Sequence, residues 1–285
     1  MTERRIRLGD GAEMEVETAG TGGLRVAMLH GAMSSRRMFD ALSDRLLAGH
    51  SGLSTLAVDL PGFGGSSKPG GGYGYSAQAA RIAAVLREDP RPTVVVGHSM
   101  GGAIALTLLL AAPDVVDGLV LIGTGLGRSG GSGSIAAYGT PALERELMSR
   151  YVAGWLVDPD PALVDALVED AMRMTPASFD GVRAAIGAYD LGAAKKRLAA
   201  LDLPVLVMRG ARDRTRTAAE AAELTAAFRH AALVEIPDAG HCPHREKPEA
   251  AAAAILGWLG EVAAPAGARG ATIAAAQGAG GADQL

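Results

Sequence analysis

Short apolar runs alternate with longer amphipathic segments along most of the chain. The early runs occupy residues 26–29, 53–58, 93–96 and 118–122. Their length and continuous apolar character predict buried parallel strands. Helical spacing of apolar residues follows each of the first three runs, and the third of these helices stops at Pro113. Strands and helices that alternate in this way predict a parallel sheet covered on both faces by helices.

The two ends of the pattern extend the predicted sheet. Residues 4–8 and 13–18 alternate polar and apolar side chains around a Gly-Asp-Gly turn, which predicts an antiparallel hairpin at one edge. Far downstream, residues 204–208 and 233–236 predict two more strands, with a helix after each. The predicted fold class is therefore α/β, with a doubly wound, mostly parallel sheet.

One long segment interrupts the alternation. Residues 128–201 begin within a glycine-serine linker and continue as several helical segments with no strand between them. They predict a helical cap inserted between two strands, placed to act as a lid over one end of the sheet. The predicted core is then residues 1–127 and 202–263. Residues 264–285 are rich in Ala, Gly and Gln and have no apolar periodicity, and we expect a disordered tail there.

Composition and charge exclude several classes of protein. The chain has 285 residues and a formal net charge of −4, whereas a nucleic-acid groove needs a basic face. No apolar stretch has the length of a membrane span, and the first residues lack the apolar region of a signal peptide. The single cysteine, Cys242, cannot form an internal disulfide. We expect a cytoplasmic protein without nucleic-acid or membrane partners.

The segment from Gly97 to Gly102 carries the strongest chemical signal. Its letters, GHSMGG, contain G-x-S-x-G, and it follows a predicted strand and opens a predicted helix. A nucleophile elbow requires this context, since the small residues let the chain turn sharply and expose the serine. Ser99 is the predicted nucleophile. The N-terminal N–H groups of the following helix favour a developing oxyanion there.

A serine hydroxyl needs an adjacent base, and six histidines are available. His241 follows the last predicted strand, where loops converge on the elbow, and is the predicted base. His244 is its main rival, while His98 and His30 are expected to support the site. The base in turn needs an acid on its other nitrogen. Asp213 follows the strand 204–208 and is the predicted acid, whereas Asp238 is expected to shape a turn.

These pieces together resemble an α/β-hydrolase of the esterase, lactonase and carbon–carbon hydrolase branch. The matching motifs are HGAMSS, DLPGFGGSSKP, GHSMGG, GARD and GHCPHREKP. The order Ser99, Asp213, His241 agrees with the chain order of that fold. The resemblance implies an oxyanion hole formed by the backbone amides of Ala32 and Met100. It also implies that Asp59 is a structural loop residue.

The function predicted from the motifs is hydrolysis of a carboxylic ester or lactone of a small, apolar substrate through an acyl-enzyme. No cofactor or metal is expected, because no His, Cys or Asp cluster has ligand spacing. The alternatives on the same three residues are a thioesterase, a carbon–carbon bond hydrolase, and a cofactor-free perhydrolase or haloperoxidase. From a different class, the chain is alternatively a non-catalytic ligand-binding scaffold that keeps the fold.

Overall fold

The computed structural model describes residues 1–127 and 144–263, and its centre is one eight-stranded sheet. The strands are β1 (Thr2–Arg7), β2 (Glu13–Gly20), β3 (Leu24–Leu29), β4 (Leu53–Asp59), β5 (Thr93–His98), β6 (Gly118–Ile122), β7 (Val205–Gly210) and β8 (Ala231–Ile236). Their order in the sheet is β1-β2-β4-β3-β5-β6-β7-β8. The predicted α/β class with a mostly parallel sheet is confirmed.

Strand direction follows the predicted pattern. β1 and β2 form an antiparallel hairpin, and β2 pairs antiparallel with β4 at the edge. All the remaining pairs are parallel. β3 lies between β4 and β5. The connection from β3 to β4 therefore runs toward one edge of the sheet, and the connection from β5 to β6 runs toward the other edge. Such a switch point opens a crevice at the carboxyl ends of the strands.

Ten helices accompany the sheet in the described part of the chain. They are α1 (Asp40–Gly49), α2 (Tyr75–Glu88), α3 (Met100–Ala111), α4 (Arg145–Ala153), α5 (Pro161–Met172), α6 (Pro176–Ala188), α7 (Lys195–Ala199), α8 (Ala218–Ala226), α9 (Pro243–Glu246) and α10 (Pro248–Ala263). α1 packs on α10, and α2 packs on α3. Every residue of β4, β5, β6 and β7 is buried, which is why their sequences are largely apolar and do not alternate with exposed polar residues.

The described part of the segment between β6 and β7 contains four helices, α4 to α7, and no strand. Asp160 caps α5 by accepting from two backbone N–H groups, and Thr175 and Ser178 form a capping box at α6. Trp155, Val168 and Leu198 bury their side chains in the same hydrophobic core as the sheet. Residues 128–143 and the predicted tail, 264–285, lie outside the described residues.

Some element boundaries differ from those predicted. Residues 34–47 have the apolar spacing of a helix, but the segment begins as a 3₁₀ turn at Arg36–Phe39 and only then continues as α1. Ser35 causes the difference, because its extended backbone and its side chain, which accepts from the Arg37 N–H, cap the turn. The apolar spacing of the first helical segment after the linker predicts a helix to residue 156, but α4 ends at 153, where Gly154 closes it. No helix in residues 1–127 or 144–263 is long and apolar enough to cross a bilayer.

Candidate active site

The turn between β5 and α3 places Ser99 at the carboxyl edge of the sheet in a strained conformation. Ser99 has φ 51° and ψ −112°, a region that residues with a side chain rarely adopt. Close packing of backbone around the turn maintains it. A Cβ at Gly97 would lie 2.5 Å from the Gly102 Cα, and one at Gly101 would lie 2.0 Å from the Leu29 carbonyl oxygen. Only glycine fits these two positions, so the serine must turn outward.

Ser99, His241 and Asp213 form one hydrogen-bonded chain. The Ser99 Oγ lies 3.1 Å from His241 Nε2, and His241 Nδ1 lies 2.9 Å from Asp213 Oδ2. His241 and Asp213 are buried, whereas Ser99 is partly exposed. The structure therefore brings together the three side chains that the motifs single out, from loops after β5, β7 and β8.

The Asp213 carboxylate is fixed by its own loop. Its Oδ1 accepts from the backbone N–H groups of Thr215 and Arg216, at 2.7 and 3.0 Å. Burial alone would raise the pKa of Asp213, but His241 and these hydrogen bonds outweigh burial and hold the pKa below its ordinary value. The carboxylate is therefore ionised at neutral pH, which makes His241 Nδ1 the protonated nitrogen and leaves Nε2 free to accept.

The backbone of His241 is held on both sides. Its N–H donates to the Trp155 carbonyl at 2.7 Å, and its carbonyl lies 2.9 Å from His98 Nε2. The Glu246 carboxylate accepts from the N–H of Gly240 and, with its other oxygen, from the N–H of Val157, each at 2.8 Å. Its partners are backbone amides, one of them 89 residues away, and no motif indicates them.

The loop after β3 brings a second set of N–H groups near the elbow. His30 shapes this loop, because its Nδ1 donates to the Gly31 carbonyl at 2.7 Å while its Nε2 accepts from the Leu60 N–H at 3.1 Å. Met33 has a positive φ of 56°. The N–H groups of Ala32 and Met100 make no hydrogen bond within residues 1–127 and 144–263.

The rival residues lie elsewhere. His244 packs behind His98, with ring centroids 4.7 Å apart, and makes no hydrogen bond to Ser99. Asp238 adopts φ 50° in the turn after β8, and no hydrogen bond joins it to His241. Thr124, which the motifs did not single out, donates through its hydroxyl to the Ser99 carbonyl at 3.1 Å.

The described residues hold no group of three or more His, Cys, Asp or Glu side chains arranged to bind a metal ion. The described site is thus a serine, an imidazole and a carboxylate, with two free N–H groups nearby. A group of this kind can activate a hydroxyl and stabilise negative charge on an oxygen.

Comparison with known proteins identifies a matching family and several similar proteins. A model of the alpha/beta hydrolase family matches residues 26–254. The chain is 28% identical over 271 residues to the magnesium-chelatase 30 kDa subunit of Rhodobacter capsulatus, covering 90% of this chain and 93% of that protein. It is 32% identical over 250 residues to the pimeloyl-(acyl-carrier protein) methyl ester esterase of Aromatoleum aromaticum, covering 81% and 96%. An esterase structure from Rhodococcus sp. ECU1013 superimposes with a TM-score of 0.78 at 25% identity, covering 92% and 100%.

Proposed function

This chain belongs to the alpha/beta hydrolase family and is a hydrolase, and from that premise we propose that it cleaves carboxylic esters through an acyl-enzyme on Ser99. His241 is the general base and Asp213 orients it. The observation that carries the proposal is the continuous hydrogen-bonded chain from Ser99 through His241 to Asp213, with the serine held in a strained turn.

Acylation begins at the hydroxyl of Ser99. As Oγ attacks the ester carbonyl carbon, its proton passes to His241 Nε2, 3.1 Å away. The imidazolium that forms is stabilised by the ionised Asp213 carboxylate at 2.9 Å, which itself keeps no proton. The free N–H groups of Ala32 and Met100 donate to the oxyanion, and Met100 also begins helix α3, whose N-terminus favours negative charge.

The second half of the reaction reverses the proton transfers. His241 donates its Nε2 proton to the departing alcohol oxygen as the carbon–oxygen bond breaks, which leaves the acyl group on Ser99. A water molecule then takes the place of the alcohol, and His241 Nε2 accepts its proton during attack on the acyl carbonyl. Collapse of the second tetrahedral intermediate returns that proton to the Ser99 Oγ and releases the acid.

The substrate class is proposed as a small ester or lactone. The relative from Aromatoleum aromaticum is named as a methyl ester esterase, which supports an ester. The apolar residues of the helical segment give no support to an apolar pocket, because Met148, Leu156 and Met174 lie buried in the hydrophobic core and Met172 packs against it. The strained Ser99 and the two unpaired N–H groups favour a catalyst over a binding scaffold, since strain of this kind persists where it serves a function.

A kinetic experiment tests this function. Wild-type protein and the variants Ser99→Ala and Ser43→Ala are assayed against p-nitrophenyl esters of increasing chain length, a γ-lactone and a matched thioester. Ser43 is the control, because it lies in α1, outside the site. Its buried hydroxyl forms a hydrogen bond with the hydroxyl of Thr55 in β4. We expect turnover by wild type and Ser43→Ala, and a loss of about 10⁶-fold in kcat for Ser99→Ala.

The outcomes separate the alternatives. Preferred turnover of the thioester would replace the ester assignment with a thioesterase on the same three residues. Folded wild-type protein that turns over none of the three substrate classes would contradict the proposed function. Equal activity of wild type and Ser99→Ala would exclude Ser99 as the nucleophile.

A further inference from the structure

His98 is a buried histidine for which the proposed chemistry has no use. Its side chain is 2% exposed and lies between two other imidazoles. The ring centroids are 4.9 Å from His241 on one side and 4.7 Å from His244 on the other. His98 directly precedes the nucleophile, yet its ring points toward the loop that carries the base.

One hydrogen bond fixes the state of the His98 ring. Its Nε2 lies 2.9 Å from the His241 carbonyl oxygen. Because a carbonyl only accepts, Nε2 must carry the proton. The other nitrogen, Nδ1, has no partner among the described residues and faces Gly31, where a Cβ would lie 2.7 Å from it. Turning the ring over would put a carbon against the carbonyl and lose the bond.

The same surroundings keep His98 uncharged. Burial, together with the nearby His241, lowers the pKa of His98 to about 3, and the opposing effect of Asp213 is smaller. A neutral ring does not compete for the proton that His241 receives from Ser99. It also adds no positive charge beside the imidazolium, which such a charge would destabilise.

We propose that His98 is a positioning residue for the base: its Nε2–H holds the His241 carbonyl and so sets the backbone from which the imidazole reaches Ser99. The inference rests on the proposed function, in which His241 is the base. Three contacts then define His241. Trp155 accepts from its N–H, His98 donates to its carbonyl, and Asp213 accepts from its Nδ1. Loss of the His98 contact leaves the carbonyl end of that backbone without its anchor.

His244 provides a matched control in the same cluster. It is fully buried and stacks on Phe39, with ring centroids 5.1 Å apart, and its ring is tilted against that of His98. Neither of its ring nitrogens has a hydrogen-bond partner within the described residues. It therefore fills space without holding His241, and its replacement tests packing alone.

The test compares His98→Leu, His98→Gln and His244→Leu. Leucine removes the donor, whereas the glutamine amide places an N–H group about where Nε2 lies. A displacement of about 1 Å in a catalytic group costs about 10²-fold. For His98→Leu we expect kcat for the p-nitrophenyl ester to fall by about 10- to 100-fold with KM within about twofold of wild type. His98→Gln should recover most of kcat, and His244→Leu should keep kcat within about twofold.

Several results would overturn the inference. One such result is a wild-type kcat in His98→Leu. Another is a loss of kcat that is equal in His98→Leu and His98→Gln. An equal loss in His244→Leu would mean that packing, rather than the donor, sets the rate. If His98→Leu fails to fold, the ¹⁵N chemical shifts of the wild-type ring decide instead. They should show a proton on Nε2 at neutral pH, and a proton on Nδ1 would refute the hydrogen bond.

The inference and the proposed function fail in different ways. If a fluorophosphonate probe does not label wild-type protein on Ser99, the proposed function is wrong, whatever the variants do. If the probe labels wild type and labels His98→Leu at the same rate, the nucleophile stands and only the role of His98 is wrong.

Discussion

Two buried aspartates, Asp59 at the end of β4 and Asp213 after β7, differ in the partners of their carboxylate oxygens, although both lie at the carboxyl edge of the sheet. Both Asp59 oxygens are occupied by backbone, since Oδ1 accepts from the Arg36 N–H at 2.7 Å and Oδ2 from the Gly65 N–H at 2.8 Å. In Asp213, by contrast, Oδ1 accepts from both backbone N–H groups, those of Thr215 and Arg216, and Oδ2 accepts from His241.

Under the proposed function, an aspartate of this kind braces one loop and orients the base in the other. A carboxylate with both oxygens saturated by fixed N–H groups can only brace a loop. A carboxylate with one oxygen left for an imidazole can respond when that imidazole gains a proton. Position after a parallel strand is therefore insufficient to identify a catalytic acid, and the partner of each oxygen decides.

The largest effect should come from Asp213→Asn. The asparagine Oδ1 still accepts from the two backbone N–H groups, but its amide donates to His241 Nδ1 and forces the wrong tautomer. We expect kcat to fall by about 10⁴-fold, the size of the loss that the same change causes in a Ser-His-Asp protease. All hydrogen bonds stay satisfied, so the free energy of unfolding should change little. Ester kinetics and urea denaturation measure both quantities. Turnover near the wild-type rate would contradict the assignment of Asp213.

For Asp59→Asn we expect the opposite pattern, with a loss of stability and little change in kcat. Here the new amide group must face an N–H donor, either that of Arg36 or that of Gly65, and one buried donor loses its acceptor. The unfolding free energy should fall by about 1–3 kcal/mol. Turnover per folded molecule should stay within a few-fold of wild type. A loss of kcat as large as in Asp213→Asn, in protein that is still folded, would contradict a purely structural role for Asp59.

A smaller effect is expected where the Asp59 loop meets β2. The Ser66 hydroxyl donates to the Asp59 carbonyl and accepts from the Glu15 N–H at 2.8 Å. Ser66→Ala leaves that N–H without its acceptor, and the unfolding free energy should fall by about 1 kcal/mol with kcat unchanged. Thermal denaturation and the ester assay on the same preparation test this prediction. A change in kcat without a change in stability would give the loop a catalytic role.

Much of the fold followed from the sequence because its strands are buried on both faces. Continuous apolar runs have one interpretation when turn residues and amphipathic helices bound them, as at residues 93–96. The elbow followed for the same reason, since a strand, G-x-S-x-G and a helix specify a turn. The start of α1 could not be predicted from the sequence. Ser35 and Asp59 cap the 3₁₀ turn that precedes α1, and the spacing of apolar residues does not indicate these contacts.

The contacts that hold the proposed base were harder to predict than its position in the chain. His241 stands where a loop after a strand must meet the elbow, but His98 and Glu246 act on backbone groups. Backbone donors and acceptors are the same for every residue, so no pattern of side chains marks the one that is used. Such contacts emerge only when the chain is folded.

Intact-mass analysis after reaction with a fluorophosphonate probe tests the central claim most directly. The proposed mechanism predicts one covalent adduct on wild-type protein, located on Ser99 by peptide mapping, and none on folded Ser99→Ala. Asp213→Asn should take up the probe far more slowly than Asp59→Asn. An adduct that persists in Ser99→Ala, or no adduct on folded wild-type protein, would contradict the assignment of Ser99 as an activated nucleophile.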